Sequence, residues 1–136
     1  MKKKVIFTGI GEPLINVIKH FLLKKDVEIS AIIPLYKTRF SNNFIKKLKK
    51  NNLLTKKILN YHNINSKKCL SRIKKISPDL ICNWGYNKLF SEKILKVPRK
   101  GCLNIHPGLL PFGRGSGAVQ GEIINGEKTI GWSCHL

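Results

Sequence analysis

The chain has 136 residues, enough to bury one core of ordinary size. Hydrophobic residues make up 42% of it, but no apolar run approaches the roughly 18 to 20 residues that a helical membrane span needs, so no membrane span is predicted. The formal net charge of +19 would draw phosphate-bearing partners through long-range, salt-dependent attraction.

Met1-Lys2-Lys3-Lys4 followed by Val5-Ile6-Phe7-Thr8 is basic and then apolar. Gly9, Gly11 and Pro13 cut the apolar stretch short of a signal sequence, so a first strand over 5–8 and a cytoplasmic location are expected. A helix over 12–25 follows, with Pro13 near its first turn, where a missing N–H is harmless, and Leu14, Ile15, Ile18, Phe21 and Leu22 as its apolar stripe. A second strand over 28–33 stops at Pro34; Ser41 then precedes a short basic helix over 43–50, and 57–60 reads as a weak third strand. Ser66 caps the next basic helix, with Leu70, Ile73 and Ile76 inward, and Ser77-Pro78-Asp79 ends it. Strands over 80–83 and 102–106 are joined by a short helix over 91–95; a helix over 117–125 and a strand over 129–135 complete the series.

Strand-length apolar blocks alternating with helical stretches predict an α/β fold: a Rossmann-like, doubly wound, mostly parallel sheet with flanking helices. A single domain over 1–136 is expected, its C-terminal strands incomplete.

The charge is uneven. No acidic residue lies between Glu28 and Asp79, and the stretch bounded by Lys37 and Lys75 holds thirteen Lys or Arg, half of the basic total. A tRNA, a nucleotide sugar or a polyanionic cofactor would suit such a patch. A phosphate-reading surface favours the bidentate fork of Arg, however, and the chain has four Arg in all, so a solvated lysine-rich surface is the competing reading. Cys69, Cys82, Cys102 and Cys134 form no C-x-x-C pair and read as reduced thiols of the interior.

Gly9-Ile10-Gly11 occupies the strand-to-helix turn where doubly wound folds place a phosphate or substrate. Leu14 replaces the third glycine of a dinucleotide fingerprint, Glu12 would repel a pyrophosphate, and Pro13 removes a donor. What remains is a tight turn, or a loop in which Gly9 and Gly11 let a small substrate approach the backbone.

Asn104 and His106 lie two apart on a strand, so both side chains point to one face, about 7 Å from each other. Pro107 cannot continue the ladder, which puts the pair at the carboxyl end of the strand, where open parallel sheets bind ligands. An amide N–H and an imidazole N–H together suit an oxygen that becomes negative, and an imidazole can also move a proton near neutral pH. Cys102 faces the same side a step deeper, and a covalent route through it is the weaker option.

Asn104-Ile105-His106-Pro107-Gly108-Leu109-Leu110-Pro111, then Arg114-Gly115, Ile123-Ile124-Asn125-Gly126-Glu127-Lys128 and Gly131, resembles the N-terminal domain of the 10-formyltetrahydrofolate-dependent formyltransferases. That family includes methionyl-tRNA formyltransferase, glycinamide ribonucleotide formyltransferase and the sugar-nucleotide N-formyltransferases. Asp79-Leu80-Ile81-Cys82-Asn83-Trp84-Gly85-Tyr86, Leu89-Phe90 and Ile94-Leu95 match the family's preceding strand and loop. The resemblance implies that Asn104 and His106 stabilise the tetrahedral intermediate formed when an amine attacks the N10-formyl group. It implies that Gly85, Tyr86, Asn87, Leu89 and Phe90, with Gly108, Leu109, Leu110 and Pro111, contact the pterin of 10-formyltetrahydrofolate.

The acceptor it implies is a primary amine; the shortness of the chain favours an amino-sugar nucleotide, the charge argues for methionyl-tRNA, and glycinamide ribonucleotide is third because Gly9-Ile10-Gly11-Glu12 is a poor cradle for its phosphate. Gly108 stands where many members carry Ser, a change expected to be mild. The family's third catalytic residue, an Asp, lies beyond the strand that begins at Thr129, and neither Glu122 nor Glu127 is expected to replace it. The expectation is therefore a domain that binds the formyl donor but turns it over slowly; a non-catalytic remnant that at most binds folate or nucleic acid is the alternative of another class.

Overall fold

A computed structural model describes residues 1–35, 39–53 and 57–136, with the side chains of Arg39 and Phe40 left aside. Lys37, at one bound of the basic stretch, lies outside the described residues. The elements run β1 (Lys3–Gly9), α1 (Glu12–Leu22), β2 (Val27–Pro34), α2 (Arg39–Lys50), α3 (Lys67–Ile76), β3 (Leu80–Trp84), α4 (Glu92–Leu95), β4 (Cys102–His106), α5 (Ala118–Ile124) and β5 (Ser133–His135). The strands form one sheet in the order β2-β1-β3-β4-β5. The first four are mutually parallel, and β5 runs antiparallel to β4.

Period-two alternation in the central strands sends side chains to two cores. Val5, Phe7 and Cys82 pack with Leu14, Ile15 and Ile18 of α1 and Phe44 and Leu48 of α2. Ile6, Ala31, Ile33 and Ile81 pack on the other face with Cys69 and Ile73 of α3, Ile94 of α4 and Tyr86. The three-layer α/β fold agrees with the sequence reading.

At the amino ends of the strands, the buried Asp79 accepts the Lys4 backbone N–H at 2.8 Å and pairs with Arg99 at 2.6 Å. The Lys4 N–H, helped by Arg99, holds its carboxyl below the usual carboxylate range. The junction pins β3 to β1 and to the chain entering β4.

Several bounds differ from expectation. The first helix ends at Leu22 rather than at 25, because the Asp26 carbonyl must reach the Lys3 N–H at 2.7 Å as the chain turns into β2. The second begins at Arg39 and takes Ser41 into its buried side. The weak third strand reduces to one bridge, Ile32 to Ile58, and the last strand to Ser133–His135. Ser66 caps α3 as expected, accepting the Cys69 N–H. Among the described residues no helix is long and apolar enough to cross a membrane.

Among the described residues the basic stretch does not form one patch. The buried side of α2 belongs to the first core and that of α3 to the second, so their lysines face solvent from opposite sides of the sheet. Lys47 is paired with Glu12, and Lys57 with Glu28.

Candidate active site

Four polar side chains form a row across the carboxyl end of the sheet. Thr8 is the register partner of Asn83, Asn83 of Asn104, and Asn104 of His135, so one residue comes from each of β1, β3, β4 and β5. All four sit on the face of the second core, above Ile6, Ile81 and Cys102, where alternation gives a polar residue the inward position two beyond the apolar one on β1, β3 and β4. The buried Thr8 hydroxyl donates to Asn83 Oδ1 at 2.8 Å, and Asn83 Nδ2 donates to Asn104 Oδ1 at 2.6 Å. Asn104 Nδ2 lies 3.1 Å from His135 Nε2. With its oxygen already accepting, Asn104 presents its amide nitrogen to His135 Nε2.

His106 closes β4, and its Nε2 lies 2.6 Å from the Gly113 carbonyl oxygen. A carbonyl only accepts, so Nε2 carries the hydrogen of that bond. The loop supplying that carbonyl is itself braced: Ser133 Oγ accepts from the Leu110 N–H at 2.9 Å and donates to the Gly108 carbonyl at 2.7 Å. Glu122 Oε1 accepts the Leu109 N–H at 3.2 Å, and its Oε2 is buried with no hydrogen-bond partner among the described residues. Glu122 thus serves the loop from α5, on the wall of a cavity of about 320 Å³ that Leu109, Phe112, Arg114 and Asn125 also line.

Gly108 is no mild departure in this chain. A Cβ there would overlap the Gly113 carbonyl oxygen and stand 2.8 Å from Ala118 Cβ and 3.0 Å from His106 Nε2. The missing side chain is what lets the loop fold back onto the imidazole.

The other expected site residues lie on loops leaving the carboxyl ends of β1, β3 and β4. A Cβ on Gly9, at φ 114°, would overlap the Trp84 carbonyl oxygen, and the next N–H, of Ile10, donates to that oxygen at 3.0 Å. Gly11, at φ 103°, sits at the N-cap of α1 without a side-chain cap. Gly85 lies against the Ile10 carbonyl, which brings the two loops together. Tyr86 turns into the second core, where its hydroxyl accepts the Ile64 N–H at 3.1 Å and its ring meets Phe90 edge-on. Asn87 and Pro111 are exposed. Leu89 is 93% exposed, Leu109 45% and Leu110 38%, an excess of uncovered apolar side chains on neighbouring loops that suits a flat apolar ligand.

Burial pushes the Cys102 thiol up to about 11, so it is a poor nucleophile at neutral pH. Cys69 and Cys82 are raised to about 11 in the same way. The expectation of interior thiols holds for these; Cys134 is exposed.

Thr8, Asn83, His135, Gly113 and Ser133 were missed by sequence reasoning, and Glu122, set aside as an acid–base replacement, was not expected to brace the loop. A usable signal existed for two of them: Thr8 and Asn83 each put a polar residue at the inward position near the end of an apolar strand, as Asn104 does. His135 and Ser133 owe their places to the antiparallel register of β5, which no local pattern announces.

The strand ends of this doubly wound sheet thus place an amide and an imidazole side by side, above a thiol that burial keeps protonated. The chain belongs to the formyl transferase family, whose description matches residues 5–136. It is 41% identical over 93 residues, 68% of its length, to the bifunctional polymyxin resistance protein ArnA of Wigglesworthia glossinidia brevipalpis. It is 44% identical over 68 residues, half its length, to methionyl-tRNA formyltransferase of Thermotoga maritima. The matched segments span 14% and 22% of those two proteins. Among solved structures, phosphoribosylglycinamide formyltransferase of Campylobacter jejuni superposes with a TM-score of 0.76 at 24% identity, covering 99% of this chain and 74% of that one, and shares the fold. Members of the family are enzymes that transfer a one-carbon formyl group, with 10-formyltetrahydrofolate as donor.

Proposed function

We propose that this chain forms the donor-binding and catalytic part of an N-formyltransferase that moves the formyl group of 10-formyltetrahydrofolate to a primary amine. The observation that carries the reading is the placement of Asn104 and His106 at the carboxyl end of β4, with the Asn104 oxygen already engaged by Asn83. The amide can therefore offer only N–H to an incoming oxygen. When an amine adds to the formyl carbon, that oxygen becomes negative, and Asn104 Nδ2 and His106 are the donors placed to meet it. Proton uptake at His106 Nδ1 makes the ring cationic without breaking its bond to Gly113. The exposed Leu89, Leu109 and Leu110 would wall the pterin, and the Gly9 to Gly11 turn would let the acceptor reach the backbone.

The acceptor we favour is an amino-sugar nucleotide: the relative matched over 68% of this chain is not a methionyl-tRNA formyltransferase by name, and the net charge of +19 is compatible with the phosphates of a nucleotide. Methionyl-tRNA is the second reading. The same charge suits it, and the 44% identical relative carries that substrate in its name. Formyl transfer from 10-formyltetrahydrofolate to a panel of amino-sugar nucleotides and to methionyl-tRNA separates the two. Formylation of neither, under conditions where the donor binds, would overturn the enzyme reading. If tRNA is the acceptor, its affinity should fall steeply with salt.

A further inference from the structure

The Asn104 amide is held between Asn83 on β3, at its oxygen, and His135 on β5, at its nitrogen, and Asn83 reaches in turn to Thr8, two strands away. A carboxamide at a strand end has two orientations of nearly the same shape, related by a half turn, and the hydrogen bonds around it choose between them. Only one of them points N–H groups at the open mouth. Asn83, the register partner of Asn104, donates to the Asn104 oxygen at 2.6 Å and so fills the acceptor that would otherwise be free to turn outward. Asn83 is held in turn because its own oxygen receives the hydroxyl of Thr8 at 2.8 Å, and Thr8 is fully buried in β1.

We propose that Asn83, anchored by Thr8, is a positioning residue that fixes Asn104 as a hydrogen-bond donor toward the transferred group. This rests on the formyltransferase reading of Asn104. It assigns a function to a polar pair whose members never touch the reacting atoms. A reversed Asn104 would present its oxygen to another oxygen that is gaining negative charge, replacing attraction by repulsion. A donor–acceptor row of this kind, anchored at the buried Thr8, is effective because filling the Asn104 oxygen leaves its N–H groups as the ones free to face outward.

The test is Asn83→Asp in the full chain, since a carboxylate keeps the shape and its bond to Thr8 but cannot donate to Asn104. Asn104 should then turn its NH2 toward the carboxylate. Turnover should fall by about 100-fold, as when an oxyanion donor is removed, with KM for 10-formyltetrahydrofolate within about twofold of wild type. Lowering the pH far enough to protonate the new carboxyl restores a donor, so the ratio of variant to wild-type turnover should climb; a merely structural role would not produce that climb. In parallel, the side-chain amide resonances of Asn104, assigned by their loss in Asn104→Ala, should shift in Asn83→Asp and return on acidification.

Full turnover in Asn83→Asp beside a dead Asn104→Ala would overturn the proposal and spare the catalytic reading. Unchanged turnover in Asn104→Ala would instead sink the catalytic reading, and the amide resonances would then decide the orientation claim alone: a shift sustains it, none removes it. Should Asn83→Asp fail to fold, Thr8→Val is read in the same way, with a smaller loss of about fivefold expected from one neutral hydrogen bond.

Discussion

The imidazole of His106 and the carbonyl of Gly113 stand 2.6 Å apart, so the loop after β4 returns to grip the residue that ends the strand. That grip exists because Gly108 has no side chain. Gly108→Ser would place its Cβ against the Gly113 oxygen and close to the His106 ring, and because the obstruction is backbone, the loop must move. We expect turnover to fall at least tenfold, roughly what one displaced catalytic hydrogen bond costs, while the melting temperature changes little. Kinetics beside a thermal melt check this; an unchanged kcat would show that the ring does not depend on the loop.

Truncating either donor should act on the chemistry and spare donor binding. Asn104→Ala is expected to lower kcat by about 100- to 1,000-fold. His106→Ala loses an acid–base group as well, for about 100- to 10,000-fold. Isothermal titration with a non-reactive folate should give affinities close to wild type in both. Equal turnover in wild type and both variants would mean that the site lies elsewhere.

Acid stability should depend on Asp79. Its folded pKa is depressed by the Lys4 N–H and by Arg99, so the stabilisation is full above the unfolded carboxylate value of about 3.9 and is lost as pH falls through the lower folded value. Asp79→Asn should be less stable at neutral pH and should lose less on acidification. Denaturant titrations at several pH values would show the two curves converging toward the acid end. Parallel curves would remove the account.

Thiol labelling should be ordered by exposure. Cys134 is exposed, whereas Cys69, Cys82 and Cys102 have thiols raised to about 11, which leaves about one in ten thousand ionised at pH 7. A maleimide at neutral pH should modify one site per chain quickly and the others only on unfolding. Mass spectrometry of the labelled peptides reads the order directly.

Much of the fold and the centre of the site were legible in the sequence, because they rest on short-range pattern. The strand over 102–106 and the common face of Asn104 and His106 follow from alternation and from Pro107, and the structure keeps that strand unchanged. The Ser66 cap was legible for the same reason. What escaped depends on register between distant segments. Asn83 and Thr8 each mark an inward polar position in sequence, but that they meet is visible only once 75 positions of chain are folded to put them side by side. Tyr86 shows the converse: its neighbours carry a family signature, but the space beneath α3 takes its ring inward to meet Ile64. The basic stretch read as one surface because it is continuous in sequence, and the sheet runs between its two helices.

The protein has two tryptophans, and the rings of Trp84 and Trp132 lie together, centroids 4.7 Å apart and tilted by 30°. One ends β3 and the other immediately precedes β5, so their contact forms only when the last strand is seated on the sheet. All indole fluorescence therefore originates at the corner beside the candidate site, and two chromophores this close couple electronically. The chain carries a built-in optical gauge of whether His135 and Ser133 have been delivered to their partners, readable by emission and circular dichroism without any label.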